Sequence, residues 1–223
     1  SVTRVSEDGR GILFIVSSPS GGGKTTLIRE TIDRLAEFDI VGHFSISHTT
    51  RPARPKETDG VDYHFVDDET FESMVQRGDF LEWAEYADSR YGTSRRAVEE
   101  QLAAGCDVFL DIEVQGANQV KTLMPEVVKI FVYPPSYEVL ETRLKERRQD
   151  PPKAIQRRLQ WALREFQVAG EFDYAIINDR LGEAVNALFG ICIAEHQKPT
   201  RMNARLDAIR KAFQESLEKD FAP

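Results

Sequence analysis

An unbroken apolar run at residues 12–16, ILFIV, leads directly into Ser18-Pro19-Ser20-Gly21-Gly22-Gly23-Lys24-Thr25-Thr26. The run suits a buried parallel strand, and the residues from Thr26 onward suit the first turns of a helix. A strand, a glycine-rich turn and a helix opening with Lys-Thr make a cradle for phosphate. Gly21, Gly22 and Gly23 reach backbone angles closed to other residues, so successive N–H groups can converge on one anion. The helix N-terminus adds partial positive charge, and Lys24 adds a full one. The Thr25 hydroxyl can complete a Mg²⁺ shell around a nucleoside triphosphate. The common pattern has glycine six residues before the lysine, where this chain has Ser18. A glycine-rich turn that binds nothing is the bland alternative; the flanking strand and helix and the intact Gly23-Lys24-Thr25 argue against it.

Length and charge narrow the partners. The chain has 223 residues, enough for one compact α/β domain with inserted lobes. A net charge of −8 argues against a general nucleic-acid binder, because phosphate backbones are held by basic surfaces. Cys106 and Cys192 lack metal-ligand spacing and read as two reduced thiols near the core. His43, His48, His64 and His196 form no zinc motif. No apolar stretch approaches the ~20 residues of a membrane span. Residues 1–10 read as a solvated tail without a signal-peptide core, so the expected compartment is the cytoplasm.

Strand-like runs recur at 12–16, 108–112, 127–133 and 174–177, with helical patterns at 25–37, 94–104, 115–123, 136–149 and 153–168. That alternation predicts a parallel sheet covered on both faces. Ser136 is an expected N-cap, as is the Asp150-Pro151-Pro152 start of the next helix. Two stretches break the rhythm. Residues 45–93 are rich in Thr, Arg, Pro, Asp and aromatics, with short alternating strands, and read as an inserted lobe. Residues 143–160 gather Arg143, Arg147, Arg148, Arg157 and Arg158. A solvated face with pairs such as Glu141–Lys145 is one account; mutual repulsion of Arg143 and Arg147 favours an anion partner.

Between these stretches lies a constellation: Ser45-Ile46-Ser47-His48-Thr49-Thr50-Arg51-Pro52-Ala53-Arg54, then Asp62-Tyr63-His64-Phe65, Leu81-Glu82-Trp83, Tyr91-Gly92-Thr93 and Leu110-Asp111-Ile112-Glu113-Val114-Gln115-Gly116. In order and spacing these residues resemble guanylate kinase, most closely its bacterial form. The resemblance runs over residues 11–178, roughly three-quarters of the chain. It implies a P-loop NTPase-type parallel sheet flanked by helices, in one domain. The core would be 11–44, 94–142 and 161–223, the GMP-binding lobe 45–93, and an arginine-rich helical lid 143–160.

The resemblance also implies roles. Arg51, Arg54, Tyr63 and Tyr91 would hold the phosphate of GMP, and Ser47, Glu82 and Asp111 would read the base, with Gly92 and Thr93 at the same edge. Carboxylates can accept from guanine N1–H and N2–H₂, whereas adenine would present a bare acceptor. Asp111 ends an apolar strand where it could equally hold Mg²⁺ through water, and Glu113 is divided between metal and base. Ser20 through Thr26 and Asn178 would bind ATP. Lys24, Arg51, Arg147 and Arg158 would neutralise the transferring phosphoryl group. Arg148 and Pro151-Pro152 depart from the family's lid and suggest a stiffer one.

The expected reaction is Mg²⁺-dependent transfer from ATP to GMP or dGMP by in-line displacement, without a general base. A non-catalytic scaffold domain of the same fold is the first rival; the presence of Lys24, Thr25, Arg51 and Arg54 weighs against it. A sugar-phosphate acceptor is the second, and it would leave the base-reading residues without purpose. Met202, Leu206, Ile209, Phe213 and Leu217 make an apolar helical stripe that either packs on the chain's own core or joins a homodimer. Trp83 and Trp161 read as core or lobe packing.

Overall fold

The computed structural model describes residues 9–19, 23–147 and 150–223, without the side chain of Arg147. The first elements are β1 (Leu13–Ser17), α1 (Lys24–Ala36), β2 (Gly42–Phe44), β3 (His48–Thr49), β4 (His64–Phe65), α2 (Asp68–Gln76), β5 (Phe80–Tyr86) and β6 (Ser89–Ser94). Then come α3 (Arg95–Ala103), β7 (Asp107–Asp111), α4 (Val114–Leu123), β8 (Val128–Tyr133), α5 (Tyr137–Arg147) and α6 (Pro152–Val168). The chain finishes with β9 (Tyr174–Ile177), α7 (Leu181–His196) and α8 (Asn203–Asp220).

Five strands in the order β2-β7-β1-β8-β9 form one parallel sheet. Its central strands are apolar on both faces because helices cover both. Phe14, Phe109, Ile130 and Val132 pack with Leu27, Ile28 and Leu188 on one side. Leu13, Ile15, Val108 and Leu110 pack with Val98, Leu102 and Val120 on the other. Continuous rather than alternating apolar runs are what such double burial requires. All five strands point their carboxyl ends the same way, so the turns after β1, β7, β8 and β9 gather at one edge. That edge is where an open α/β sheet binds its ligand.

A second sheet, β4-β3-β6-β5, is built within the lobe stretch. Its register sets Glu82 opposite Thr93 and Thr49 opposite Tyr91. The β5–β6 hairpin turns through Ala87 and Asp88, both at positive φ, the geometry of a two-residue turn whose twist suits a hairpin. The stretch 143–160, where a lid is expected, takes in the end of α5 and the start of α6, two helices that share a small core of Leu140, Leu144, Ile155 and Ala162.

Local expectations fared unevenly. Ser136 caps α5, its hydroxyl accepting from Val139 N at 3.2 Å. Asp150 does not cap α6: Pro151 holds the N-cap position, Pro152 opens the helix, and the Asp150 carboxylate turns to Arg158 at 3.4 Å. Glu141 and Lys145 form the expected pair at 3.2 Å. Trp161 is not core but 54% exposed, with Arg164 over its ring, whereas Trp83 packs in the lobe against Phe71 and Arg90. Both cysteines are free thiols, Cys192 fully buried. Among the described residues no helix is long and apolar enough to cross a membrane. The stripe on α8 does not pack on the core: Ile209, Phe213 and Leu217 stay exposed, and no residue of the helix is buried.

Candidate active site

At the carboxyl edge of the main sheet, α1 begins at Lys24 directly after Gly23. Gly23 sits at φ 73°, and an added Cβ would stand 3.3 Å from the Asn178 amide nitrogen. Glycine is therefore favoured here by the backbone angle, and a side chain would also crowd the Asn178 side-chain amide. Ser18 carries no such demand: its φ is not positive, its side chain is buried, and its hydroxyl donates to the Pro19 carbonyl at 3.0 Å. Ser20, Gly21 and Gly22 lie outside the described residues. Thr25 and Thr26 are exposed on the first turn of α1. Lys24 Nζ lies 2.6 Å from Asp111 Oδ1 at the end of the adjacent strand β7. The cradle's cation is thus paired with the strand-end acid. Glu113, the N-cap of α4, is exposed and makes no side-chain cap bond.

The lobe builds a second cationic point. Arg51 meets Glu57 in a two-pronged pair, Nη1 and Nη2 each 2.8 Å from a carboxylate oxygen. Nη1 also donates to the Pro52 carbonyl at 3.1 Å. The Tyr63 ring lies 5.2 Å beneath the guanidinium, and the Tyr91 ring stands 6.0 Å from that of Tyr63. Glu57 accepts from Arg54 N as well, at 2.8 Å. Arg51, then Arg54, hold the Glu57 pKa down to about 2, and Glu57 in turn raises that of Arg51. The Arg54 side chain is exposed. Ser47 is half-buried, its carbonyl accepting from His64 N at 2.9 Å.

The base-reading candidate is the most buried acid of the lobe. Glu82 is 8% exposed, and Thr93 Oγ1 donates to its Oε1 at 2.7 Å, as the strand register dictates. Burial pushes its pKa up, Thr93 pulls it back, and the charge of Glu113 adds to the push. Room for the carboxylate comes from α4: a Cβ on Gly116 would fall 2.9 Å from Glu82 Oε2. Gly116→Ala should therefore displace Glu82 and raise the KM for the acceptor by about 10- to 100-fold. Steady-state kinetics with the acceptor varied would check it; an unchanged KM would remove Glu82 from the acceptor site. Gly92 has a packing reason of its own, since a Cβ there would stand 2.7 Å from the Phe80 ring.

The arginine-rich stretch contributes in part. Arg158 is held by Asp150. The side chain of Arg147 and the whole of Arg148 lie outside the described residues. Asn178 is buried at the end of β9, its N–H on the Tyr133 carbonyl at 2.8 Å.

Glu57 and Glu165, which motif reading passed over, join the site, and Gly116 and Arg143, named there only as parts of longer motifs, gain definite places in it. Arg143 Nη2 donates to the Asn178 carbonyl at 3.1 Å, while its buried Nη1 has no hydrogen-bond partner among the described residues. Glu165 on α6 has its pKa pushed up to about 7, chiefly by burial, then by the charge of Glu113, with Lys24 opposing. Its surroundings include the cradle lysine, a proximity that no spacing along the chain reveals.

Comparison with known proteins bears on this arrangement. The guanylate kinase family profile matches residues 10–195. A guanylate kinase of Thermus thermophilus is 47% identical over 212 residues, covering 95% of this chain and 94% of its own. One from Vibrio parahaemolyticus is 45% identical over 205 residues, covering 92% and 98%. The crystal structure of guanylate kinase from Anaplasma phagocytophilum superposes with a TM-score of 0.66 at 30% identity, covering 96% of this chain and 97% of that one. The phosphate cradle, the arginine-centred lobe and these likenesses agree: the chain belongs to the guanylate kinase family.

Proposed function

We propose the following division of labour for the chain's activity, the ATP-dependent phosphorylation of GMP. Residues 20–26 bind the ATP phosphates, Lys24 turns from Asp111 to the β/γ-phosphates, and Asn178 borders the nucleotide. Arg51, Arg54, Tyr63 and Tyr91 take the GMP phosphate, while Ser47, Glu82 and Thr93 read guanine. A GMP phosphate oxygen attacks the γ-phosphorus in line, the bond to the β–γ bridging oxygen breaks, and ADP leaves. Lys24, Arg51, Arg147 and Arg158 neutralise the charge on the transferring group. The acceptor is already anionic, so no residue need remove a proton.

The 2.6 Å Lys24–Asp111 pair supports giving Asp111 to the phosphate end, leaving Glu82 as the principal reader of the base. Mg²⁺ suits the oxygen donors here, the exposed Thr25 hydroxyl with the Asp111 and Glu113 carboxylates. When bound with ATP it spreads the triphosphate's charge. dGMP presents the same base edge and phosphate, so it serves as an acceptor too.

The observation that carries the reading is the buried Glu82 held by Thr93, because an acceptor without a purine would need no such group. A coupled ADP-release assay offering GMP, dGMP, AMP, CMP and UMP tests it. Turnover with the guanine nucleotides and little with AMP is expected; equal rates with AMP would refute Glu82 as a reader.

The exposed stripe of α8 supports self-association. Residues 203–211 carry Arg205, Arg210 and Lys211 against Asp207, and residues 212–220 carry Glu215, Glu218 and Asp220 against Lys219. Two antiparallel copies would set opposite charges together and bury Ile209, Phe213 and Leu217. Sedimentation should give a dimer that Phe213→Glu converts to monomer; a monomeric parent at tens of micromolar, on the order of 10⁻⁵ M, would exclude it.

A further inference from the structure

We infer that Glu57 is a positioning residue for the acceptor phosphate: it occupies the end-on fork of Arg51 and so presents the opposite edge of the guanidinium to GMP. The inference rests on the reading of Arg51 as a GMP-phosphate ligand. A guanidinium has five N–H donors. The two Nη hydrogens facing Glu57 are taken by its carboxylate at 2.8 Å each, and the outer Nη1 hydrogen goes to Pro52 O at 3.1 Å. What remains is Nε–H and one Nη2 hydrogen, a second parallel fork that suits two oxygens of a phosphate. Tyr91, whose ring lies 6.0 Å from that of Tyr63, borders the same region and would stand ready beside a phosphate there. Tyr63 closes one face of the plane at 5.2 Å.

The arrangement is anchored, not incidental. Arg51 and Glu57 keep only 16% and 17% of their side-chain surface exposed. Glu57 is itself fixed to the backbone, its Oε1 accepting from Arg54 N at 2.8 Å. A carboxylate beside an anion site costs some repulsion toward the incoming phosphate. It is justified if holding a long, rotatable arginine in one orientation saves more than that repulsion loses. Glu57 touches no reacting atom and acts only through Arg51.

The test is Glu57→Gln with two ligands, GMP and guanosine, titrated calorimetrically alongside the parent protein. The amide nitrogen of glutamine would face a guanidinium donor, so Arg51 loses its clamp. GMP affinity and KM should worsen by about 10- to 100-fold. Guanosine, which lacks the phosphate, should bind as it does to the parent, and Glu57→Asp should recover part of the GMP loss because the charge is kept. Equal losses for GMP and guanosine would show a merely structural role and overturn the inference. Unchanged or tighter GMP binding would overturn it in the other direction, showing that Glu57 only competes with the phosphate. An aspartate variant as weak as the glutamine one would also count against it. Failure of the parent to bind GMP would instead sink the assignment of the acceptor site.

Discussion

Lys24→Ala should lower kcat by at least about 10³-fold, while the affinity for GMP stays within about threefold of the parent. The size follows from what the side chain supplies. One preorganised donor to developing charge is worth about 10²–10³ in rate, and Lys24 brings a full positive charge with its hydrogen bond. The selectivity follows from the architecture. Lys24 stands at the mouth of α1 on the main sheet, whereas Glu82, Thr93, Arg51 and Tyr91 belong to the lobe's own sheet region. Lys24→Arg should not restore the rate, because the bulkier planar group cannot reproduce a compact ammonium in a backbone-lined cradle. Tm should fall modestly, because the Lys24–Asp111 pair keeps only 16% and 26% of its side-chain surface exposed and the variant leaves Asp111 without its lysine. Single-turnover rates with saturating nucleotides, beside calorimetric GMP titration, would measure both halves. A kcat within tenfold of the parent (about 1.4 kcal/mol) would refute the cradle; a lost GMP affinity would show that the two sites are not separable.

What could be read from the sequence follows from which interactions are local. The strands β1, β7 and β8 announce themselves because burial on both faces requires near-continuous apolar runs, while β9, an edge strand with exposed Ala175 and Ile177, is legible from its short apolar run alone. β2 is not, being three residues of which glycine and histidine are two. The helix α7 is apolar through most of its length, which blurs the one-sided pattern that marks a surface helix. The phosphate cradle is legible because strand, glycines, lysine and helix are contiguous. Glu57 lies within the same loop as Arg51, yet its clamp depends on a turn that brings residues six apart together. Gly116 and Glu165 are harder still. The first matters only because α4 passes over Glu82, and the second only because α6 brings it within the fields of Lys24 and Glu113. The Asp150 cap failed for a local reason that spacing does not show: Pro151 sits at the cap position, and the carboxylate gains an arginine partner instead.

Glu82→Gln should separate function from stability, losing the first and gaining the second. A carboxylate accepting from guanine N1–H and N2–H₂ makes two charge-assisted bonds at about 1.5–3 kcal/mol each, so kcat/KM for GMP should fall by about 10²- to 10⁴-fold. Glutamine keeps an oxygen for Thr93 but turns an NH₂ toward the base donors, leaving a buried mismatch. Stability moves the other way because burial raises the Glu82 pKa above the ordinary 4.5. Below that value the carboxyl is protonated in both folded and unfolded chains, and the group has no effect. As pH rises past 4.5 the unfolded chain releases its proton while the folded one retains it, so stability is lost until the folded group also ionises. Above that point the penalty is complete. Removing the charge should therefore raise Tm at pH 7.5, with the gain shrinking to nothing toward pH 4. Thermal unfolding of parent and variant across this range, beside kcat/KM for GMP and AMP, tests both halves. A Tm gain equal at pH 4 and pH 7.5 would show that repacking, not the buried charge, is responsible. A kcat/KM for GMP within threefold of the parent would remove Glu82 from base recognition and return the acceptor's identity to the phosphate-binding residues alone.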